Sequence, residues 1–99
     1  MQNCLFCKIV AGEIPSEKVY EDADFLGFLD IHPEAPGHTL LILKKHYRFV
    51  WDVPDYGKYM QRVKEVVKRL QVKYKTEVVI AKIIGTDIPH AHIHLIPIT

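Results

Sequence analysis

Apolar and polar residues along the chain follow two periods, one typical of strands and one typical of helices. Alternating or continuous apolar runs predict five strands, at residues 19–21, 25–29, 38–43, 77–84 and 90–97. A short apolar run at residues 4–11 ends at Gly12 and predicts a short N-terminal helix with Asn3 as its N-cap. Two prolines and Gly37 predict a loop over residues 30–37.

A longer helix is predicted to begin at Asp55, directly after Pro54. Its apolar residues recur at three- and four-residue steps: Tyr56, Tyr59, Met60, Val63, Val66, Val67, Leu70 and Tyr74. This spacing predicts an amphipathic helix of roughly 18–20 residues, about 30 Å long. The connection that precedes it, residues 44–54, contains Trp51, whose indole is expected to pack against the protein.

Strands joined by turns, with one long helix inserted late, predict an α+β fold. We expect an antiparallel sheet of about five strands, one long amphipathic helix and the short N-terminal helix, in a single domain over residues 1–99. A chain of this length buries only roughly 60–65% of its unfolded surface, so a homo-oligomer is expected.

The composition is that of an ordinary globular protein, with 48% apolar and 25% charged residues. The net charge of +1 argues against a dedicated nucleic-acid-binding protein. No apolar run reaches the roughly 18–20 residues of a membrane helix, and no secretory signal pattern begins the sequence. We therefore expect a cytoplasmic protein, with no membrane partner, whose cysteine thiols stay reduced.

Candidate chemistry is concentrated in the last predicted strand, where three imidazoles alternate with apolar residues. In a strand, His90, His92 and His94 share one face, which is expected to line a surface or cleft. Three explanations are open: exposed polar positions, a zinc site, or nucleophilic catalysis by an imidazole. Spacing alone does not separate the metal site from the nucleophile.

Three motifs, in order, resemble the histidine triad (HIT) family of nucleotide hydrolases and transferases. The run His90-Ala-His-Ile-His-Leu-Ile is similar to the family signature, His-φ-His-φ-His-φ-φ, where φ is apolar. The segment at residues 4–16 resembles the opening of the Hint-like branch. Phe28-Leu-Asp-Ile, followed by Pro36-Gly-His-Thr-Leu-Leu-Ile-Leu-Lys-Lys-His, resembles its nucleoside-binding and central-strand region. The resemblance covers nearly the whole chain and implies a HIT-like fold and a homodimer whose two sheets join.

The resemblance implies that His92 is a nucleophile toward the α-phosphorus of a purine nucleotide conjugate. The conjugate would be a phosphoramidate or a dinucleoside polyphosphate, and water would hydrolyse the nucleotidyl-histidine intermediate. The backbone carbonyl of His90 would hold the His92 ring, His94 would contact the phosphate or leaving group, and His38 would support the cluster. No cofactor would be required for this catalysis.

The resemblance also implies a nucleoside site. Asp30 matches the carboxylate that binds the ribose hydroxyls, and the apolar wall around the base is matched by Phe6, Ile9, Phe28 and Ile31. Gly85 matches a glycine whose backbone approaches the phosphate. From sequence alone, the apolar residues would be assigned to the core, and Asp30 and Gly85 to turns.

Two departures from the family pattern lie before the triad. Val79 stands where many members have asparagine, and Gly85-Thr86-Asp87 stands where many have Gly-Gln-Ser/Thr. Ionised Asp87 would repel a phosphate or contact a cationic leaving group, while Thr86 could supply the hydroxyl donor. Two alternatives follow: a nucleotide-binding protein with little catalysis, or a metal-dependent hydrolase that uses the triad as ligands.

Cys4 and Cys7 form a Cys-x-x-Cys pair near the start of the chain. Some bacterial members of the family bind zinc through this pair, the histidine after Lys-Lys, here His46, and the first triad histidine, here His90. Two thiolates and two imidazoles suit a structural, tetrahedral zinc. The alternatives are packed, inert thiols or a redox pair.

Overall fold

The computed structural model describes residues 3–99 and has the predicted α+β architecture. The elements, in order, are α1 (Leu5–Val10), β1 (Lys18–Glu21), β2 (Phe25–Leu29), β3 (Thr39–Leu43), a 3-10 turn (Val50–Asp52), α2 (Tyr56–Tyr74), β4 (Val79–Lys82) and β5 (His92–Pro97). The five strands form one sheet in the order β1-β2-β3-β5-β4, and every neighbouring pair is antiparallel. The predicted antiparallel sheet with one long and one short helix is thus confirmed.

The central pair of strands, β3 and β5, divides the sheet into two chemically different faces. His92 lies opposite Ile42 and His94 opposite Leu40, so the imidazoles share a face with these two side chains. Ile93 and Leu95, the alternate residues of β5, lie on the other face. The register of one strand therefore assigns apolar packing to one side and imidazoles to the other.

Helix α2 covers the apolar face. Asp55 caps it as predicted, because the Asp55 side chain accepts a hydrogen bond of 2.9 Å from the backbone N–H of Lys58. The buried residues of α2 pack into one cluster with the sheet, comprising Tyr59, Val63, Val66 and Leu70 from the helix and Phe25, Leu41, Leu43, Ile93 and Leu95 from the strands. The Tyr59 hydroxyl donates a 2.6 Å hydrogen bond to the Leu41 carbonyl, so its polar group is satisfied inside this core.

Helix α1 packs on the histidine face. Phe6 is buried in a second cluster with Leu26, Phe28, Leu40 and Ile42. The predicted N-cap, Asn3, is wrong: Cys4 occupies this position, and its sulfur accepts a 3.3 Å hydrogen bond from the Cys7 backbone N–H. Cys4 can do so because its backbone is extended where the helix begins.

Several side chains and boundaries differ from the prediction. Trp51 is 61% exposed, so the expected packing of its indole is wrong; the 3-10 turn buries Val50 instead. Tyr56 and Met60 have helical spacing but are exposed, because α2 buries a narrower stripe than the sequence pattern covers. Strand β4 is four residues rather than eight, and β5 begins at His92, since the His90 backbone N–H bonds to Ile88 in a turn.

The loop at residues 30–37 ends in a conformation that only glycine adopts easily. Gly37 has a φ of +88°, and an added Cβ would lie 2.5 Å from ring carbons of Tyr74. The turn delivers the chain to His38, directly before β3. Across residues 3–99, no helix combines the length and the apolar character that crossing a bilayer requires.

Candidate functional site

Four histidines lie together on the second face of the sheet. His38, His90, His92 and His94 are each 7% exposed or less. Of the two expected settings, an open surface is wrong for the three imidazoles, whereas His92 does line a small cavity. The Phe6 ring meets them edge-on, with its centroid 5.2 Å from that of His92 and 5.9 Å from that of His90. The imidazoles are therefore held in a buried, hydrogen-bonded cluster.

His92 has a ring orientation fixed by the main chain. Its Nδ1 lies 2.6 Å from the backbone carbonyl oxygen of His90, which can only accept a hydrogen bond. Nδ1 therefore carries the proton, and in the neutral ring Nε2 carries the lone pair. The sequence resemblance implied this contact, and the structure brings these two groups together.

His94 has the opposite arrangement, set by a chain of hydrogen bonds. The backbone N–H of Glu34 donates to Nδ1 of His38 at 3.0 Å, so the proton of a neutral His38 ring lies on Nε2. His38 Nε2 lies 2.9 Å from Nδ1 of His94 and donates to it. Burial lowers the pKa of His38 more than the charge of Asp30 raises it, which keeps that ring neutral. His94 consequently presents Nε2–H, a donor.

Asp87 contacts both rings from the turn before β5. Its Oδ2 lies 3.0 Å from Nε2 of His92 and 3.3 Å from Nε2 of His94. Partial burial raises the pKa of Asp87, but the hydrogen bond and charge of His92 lower it more. Since a bare Nε2 and a carboxylate are both acceptors, the 3.0 Å contact requires a proton between Asp87 Oδ2 and His92 Nε2.

The two cysteines form a second cluster with His46 and His90. The sulfur of Cys4 lies 3.2 Å from Nδ1 of His90, and that of Cys7 lies 3.3 Å from Nδ1 of His46 and 3.4 Å from Nδ1 of His90. His90 Nε2 donates to the carbonyl of Leu43 at 2.7 Å, which leaves the Nδ1 lone pair directed at the sulfurs. Four ligand atoms thus lie within 4.8 Å of one another. Burial raises the pKa of the Cys7 thiol to about 11.

This donor set fits a structural metal. Two sulfurs and two imidazole nitrogens are the usual tetrahedral ligands of zinc, and the bond from His90 to a backbone carbonyl is the support that such ligands receive. The four ligands come from α1, the connection after β3 and the turn before β5. A metal here would therefore tie three separate segments together.

The other predicted site residues differ in how far their side chains are buried. Asp30 Oδ2 is 3.6 Å from Nε2 of His38, so this carboxylate borders the histidine cluster. Phe6 and Phe28 are buried with their ring centroids 5.4 Å apart, and Ile9 packs partly buried against the same cluster. Ile31 is 83% exposed and lies outside this buried cluster.

The turn residues before Asp87 are placed differently from the triad. Thr86 is exposed. The space beside the Gly85 Cα faces Phe49, whose ring an added Cβ would approach to 3.1 Å. The Phe49 ring therefore packs closely against the Gly85 backbone, and this packing favours a residue without a Cβ. A small cavity beside this turn is lined by Phe49, Gly85 and His92.

Sequence reasoning missed the main-chain groups that determine which ring nitrogen carries the proton in His38 and in His90. The Glu34 N–H and the Leu43 carbonyl each fix one ring, yet every residue carries such groups, so no residue type marks them. Asp87 was singled out as a departure, but its contacts with both His92 and His94 depend on how the turn folds.

Comparison with known proteins gives one consistent family. The model of the HIT domain matches residues 11–99. The chain is 41% identical over 100 residues to an uncharacterized HIT-like protein of Methanocaldococcus jannaschii, covering 95% of this chain and 78% of that one. It is 42% identical to HitA of Neisseria gonorrhoeae, covering 96% and 95%, respectively. It is also 40% identical to adenosine 5'-monophosphoramidase HNT1 of Saccharomyces cerevisiae, covering 95% of this chain and 61% of the yeast protein.

Solved structures agree with the sequence comparison. A HIT family protein from Bacillus subtilis superimposes with a TM-score of 0.87 at 37% identity, covering 96% of this chain and 72% of that one. A HIT family hydrolase from Clostridium thermocellum superimposes with a TM-score of 0.86 at 26% identity, covering 100% and 93%.

Proposed function

The chain belongs to the HIT domain family, and from this premise we propose that it is a nucleotide-binding hydrolase or nucleotidyl transferase. The substrate is a purine nucleotide conjugate, and the reacting atom is its α-phosphorus. The resemblance to a yeast protein named adenosine 5'-monophosphoramidase supports a phosphoramidate as the conjugate. A dinucleoside polyphosphate is the second substrate class that this chemistry admits.

One observation carries the proposal: the Nδ1 atoms of the neighbouring rings His92 and His94 have opposite hydrogen-bonding roles, since the first donates to a carbonyl and the second accepts from His38. His92 directs Nδ1–H to the His90 carbonyl, so its Nε2 can act as a nucleophile once Asp87 and the shared proton leave. His94 presents Nε2–H on the same side, where Asp87 now contacts both rings. One lone pair beside one donor suits an electrophilic phosphorus that carries an anionic oxygen.

The reaction then has two balanced steps. The His92 Nε2 lone pair forms a bond to the α-phosphorus while the bond to the leaving group breaks, and an amine leaving group takes up a proton from solvent as it departs. Water next attacks the same phosphorus, the phosphorus–nitrogen bond to His92 breaks, and nucleoside monophosphate is released. The water that attacks in the second step returns one proton to solvent. Holding Nε2 in line supplies most of the rate, because effective molarity can contribute roughly 7–11 kcal/mol.

The nucleoside is proposed to bind beside Asp30. This carboxylate is partly exposed and can accept hydrogen bonds from the ribose hydroxyls while it stays close to His38. Exposed Ile31 and the cluster that contains Phe6, Phe28 and Ile9 are proposed to supply apolar surface for the base. Gly85, Thr86 and Asp87 are proposed to border the phosphate.

The test measures turnover of an adenosine phosphoramidate by the full chain and by His92→Ala, each with and without a chelator. We expect turnover that resists the chelator and disappears in His92→Ala. His32→Ala is the matched control, since His32 is an exposed loop histidine, and it should keep full activity. Turnover that survives in His92→Ala would overturn the proposal.

The alternative of a metal held by the triad has less support. A metal would need lone pairs on Nε2 of both His92 and His94. The bond from the Glu34 N–H to His38, and from His38 to His94, leaves a proton on Nε2 of His94. The chelator arm of the same assay tests this alternative: activity lost on chelation and recovered on adding zinc would favour it. Binding without turnover would favour a nucleotide-binding protein instead.

We also propose that Cys4, Cys7, His46 and His90 bind one structural zinc ion. When bound, zinc would cross-link α1 to the sheet and take no part in the reaction, so His92 stays free. The donor set and the free Nδ1 of His90 support this assignment. Metal analysis of the purified protein should give one zinc per chain, and Cys7→Ser should lose it with a lowered Tm. His32→Ala should retain it. Equal zinc content in Cys7→Ser and the unaltered chain would contradict the site.

We further propose a homodimer in which two sheets join through β4. This strand forms one edge of the sheet, and apolar Val78, Ile80 and Ile83 are exposed on or beside it. Light scattering should give twice the chain mass, and Ile80→Lys should give the monomer mass. Val72→Lys, at an exposed position on α2, is the control that should leave the dimer intact. A monomeric unaltered chain would contradict this proposal.

A further inference from the structure

Asp87 occupies a position that the proposed reaction assigns to the substrate. Its Oδ2 lies within hydrogen-bonding distance of the two nitrogens that face the reacting phosphate, 3.0 Å from His92 Nε2 and 3.3 Å from His94 Nε2. Reacting atoms must approach to about 3–3.5 Å before a bond forms. A phosphate at that distance from His92 would overlap the carboxylate, so Asp87 must move before substrate can react.

The carboxylate is free to move without opening the core. Asp87 is in a turn rather than a strand, and its side chain is 37% exposed, whereas the two imidazoles that it contacts are buried. Turning the side chain toward solvent would release both nitrogens and leave β5 unchanged. The main chain nevertheless keeps the displaced carboxylate beside the phosphate.

A carboxylate held next to a phosphate penalises ligands in proportion to their negative charge. The α-phosphate of a phosphoramidate or a phosphodiester carries one negative charge, whereas the free nucleoside monophosphate carries nearly two near neutral pH. A protonated amine on the leaving group would instead be attracted. Asp87 would therefore disfavour the product more strongly than the conjugate.

We propose that Asp87 is a specificity-determining residue, whose carboxylate lies at the phosphate position and selects singly charged nucleotide conjugates over the dianionic product. This inference rests on the proposed function, because it takes His92 and His94 as the phosphate contacts. It explains how a carboxylate can stand where many family members have a hydroxyl residue. The carboxylate weakens binding of every phosphate-containing ligand, and it favours release of the nucleoside monophosphate because that product carries the larger negative charge.

The experiment compares three ligands that share a nucleoside and differ in charge: adenosine, the methyl ester of AMP, and AMP. Their Kd values are measured by calorimetry at pH 7.5 on the unaltered chain, on Asp87→Asn and on Asp87→Ser. Both variants remove the charge of Asp87. Two different substitutions are used so that a folding defect in one of them does not decide the result. Glu65→Gln removes an equal charge from α2, on the opposite face of the sheet, and is the matched control.

We expect adenosine to bind both Asp87 variants within twofold of the unaltered chain. The methyl ester should bind roughly threefold tighter, and AMP at least tenfold tighter, while Glu65→Gln changes none of the three. Equal gains for all three ligands, or AMP affinity that is unchanged or weaker, would overturn the role of Asp87 and leave the proposed function standing. If no ligand binds the folded, unaltered chain, the proposed function and this inference both fail.

Discussion

The two faces of the central sheet differ in what holds them together. The face under α2 is closed by apolar side chains, with the Tyr59 hydroxyl satisfied by a carbonyl. The opposite face buries four histidines, and hydrogen bonds to main-chain groups set the ring orientation of three: His38, His90 and His92. Packing alone can provide stability, but chemistry requires polar groups with defined protons. The alternation along β5 lets one strand serve both faces.

The strongest test of this division removes packing from the α2 face. Leu95 is fully buried beneath α2, on the opposite side of β5 from His94. Leu95→Ala should lower the free energy of unfolding by about 2–5 kcal/mol, because it leaves a cavity in a closed core. Val72→Ala, on the exposed surface of α2, should change it by less than about 0.5 kcal/mol. Chemical denaturation measures both.

The same Leu95→Ala protein should keep its kcat within about twofold at a temperature where it is folded. A tenfold loss of kcat in fully folded protein would show that the two faces are coupled rather than separate.

The next test replaces a histidine on the opposite face with a side chain of similar size, so that no cavity is left. His38→Phe fills the same space but cannot donate to Nδ1 of His94, so the proton on His94 Nε2 is no longer fixed. We expect kcat to fall roughly tenfold to a hundredfold, equivalent to about 1.4–2.7 kcal/mol of transition-state stabilisation. His32→Phe, in the exposed loop, should leave kcat unchanged. Full activity in folded His38→Phe would mean that His38 does not set the His94 tautomer.

A smaller effect, on the free energy of unfolding, is expected at Asp22, whose carboxylate in the β1–β2 turn pairs with Arg62 of α2. Partial burial raises the pKa of Asp22, but hydrogen bonds from Tyr20, two backbone N–H groups and Arg62 lower it more, to about 2. Because the folded-state pKa is depressed, this stabilisation is fully present above about pH 4 and is lost as pH falls toward 2. Asp22→Asn should cost roughly 2 kcal/mol at pH 7 and much less at pH 2. A cost that does not depend on pH would contradict the assignment.

The smallest effect is expected at Trp51, where the sequence suggested packing and the structure exposes the indole. Trp51→Ala should change the free energy of unfolding by less than about 0.5 kcal/mol. A loss above 2 kcal/mol would indicate that the indole is covered in solution.

The sequence patterns predicted the fold well where burial follows a regular period. The three- and four-residue spacing of α2 and the alternation of β5 each predicted one buried apolar face, and both elements form. β5 begins at His92 rather than His90, and its histidine face is buried as well. The period of α2 overestimated the buried stripe, because Tyr56 and Met60 lie beyond the reach of the sheet. Trp51 lies in a connection, where no period applies and the turn geometry decides which side chain is covered.

The residues of the candidate site could be predicted from the sequence, but the ring nitrogens that carry protons could not. Sequence resemblance grouped His38, His90, His92 and His94, and the structure brings them together. Which ring nitrogen carries a proton depends on main-chain groups of Glu34, Leu43 and His90 that are close only after folding. The contact of Asp87 with both rings likewise depends on the path of the turn before β5.

The central claim is that His92 forms a covalent bond to the nucleotide. Full-chain protein mixed with an adenosine phosphoramidate and quenched in alkaline denaturant, where a phosphorus–nitrogen bond survives, can be measured by mass spectrometry. We expect a mass increase of one adenylyl group on the peptide that contains His92, with fragment ions assigning it to that ring and no increase in His92→Ala. An adenylyl group on His94 or His90, or turnover in His92→Ala, would contradict it.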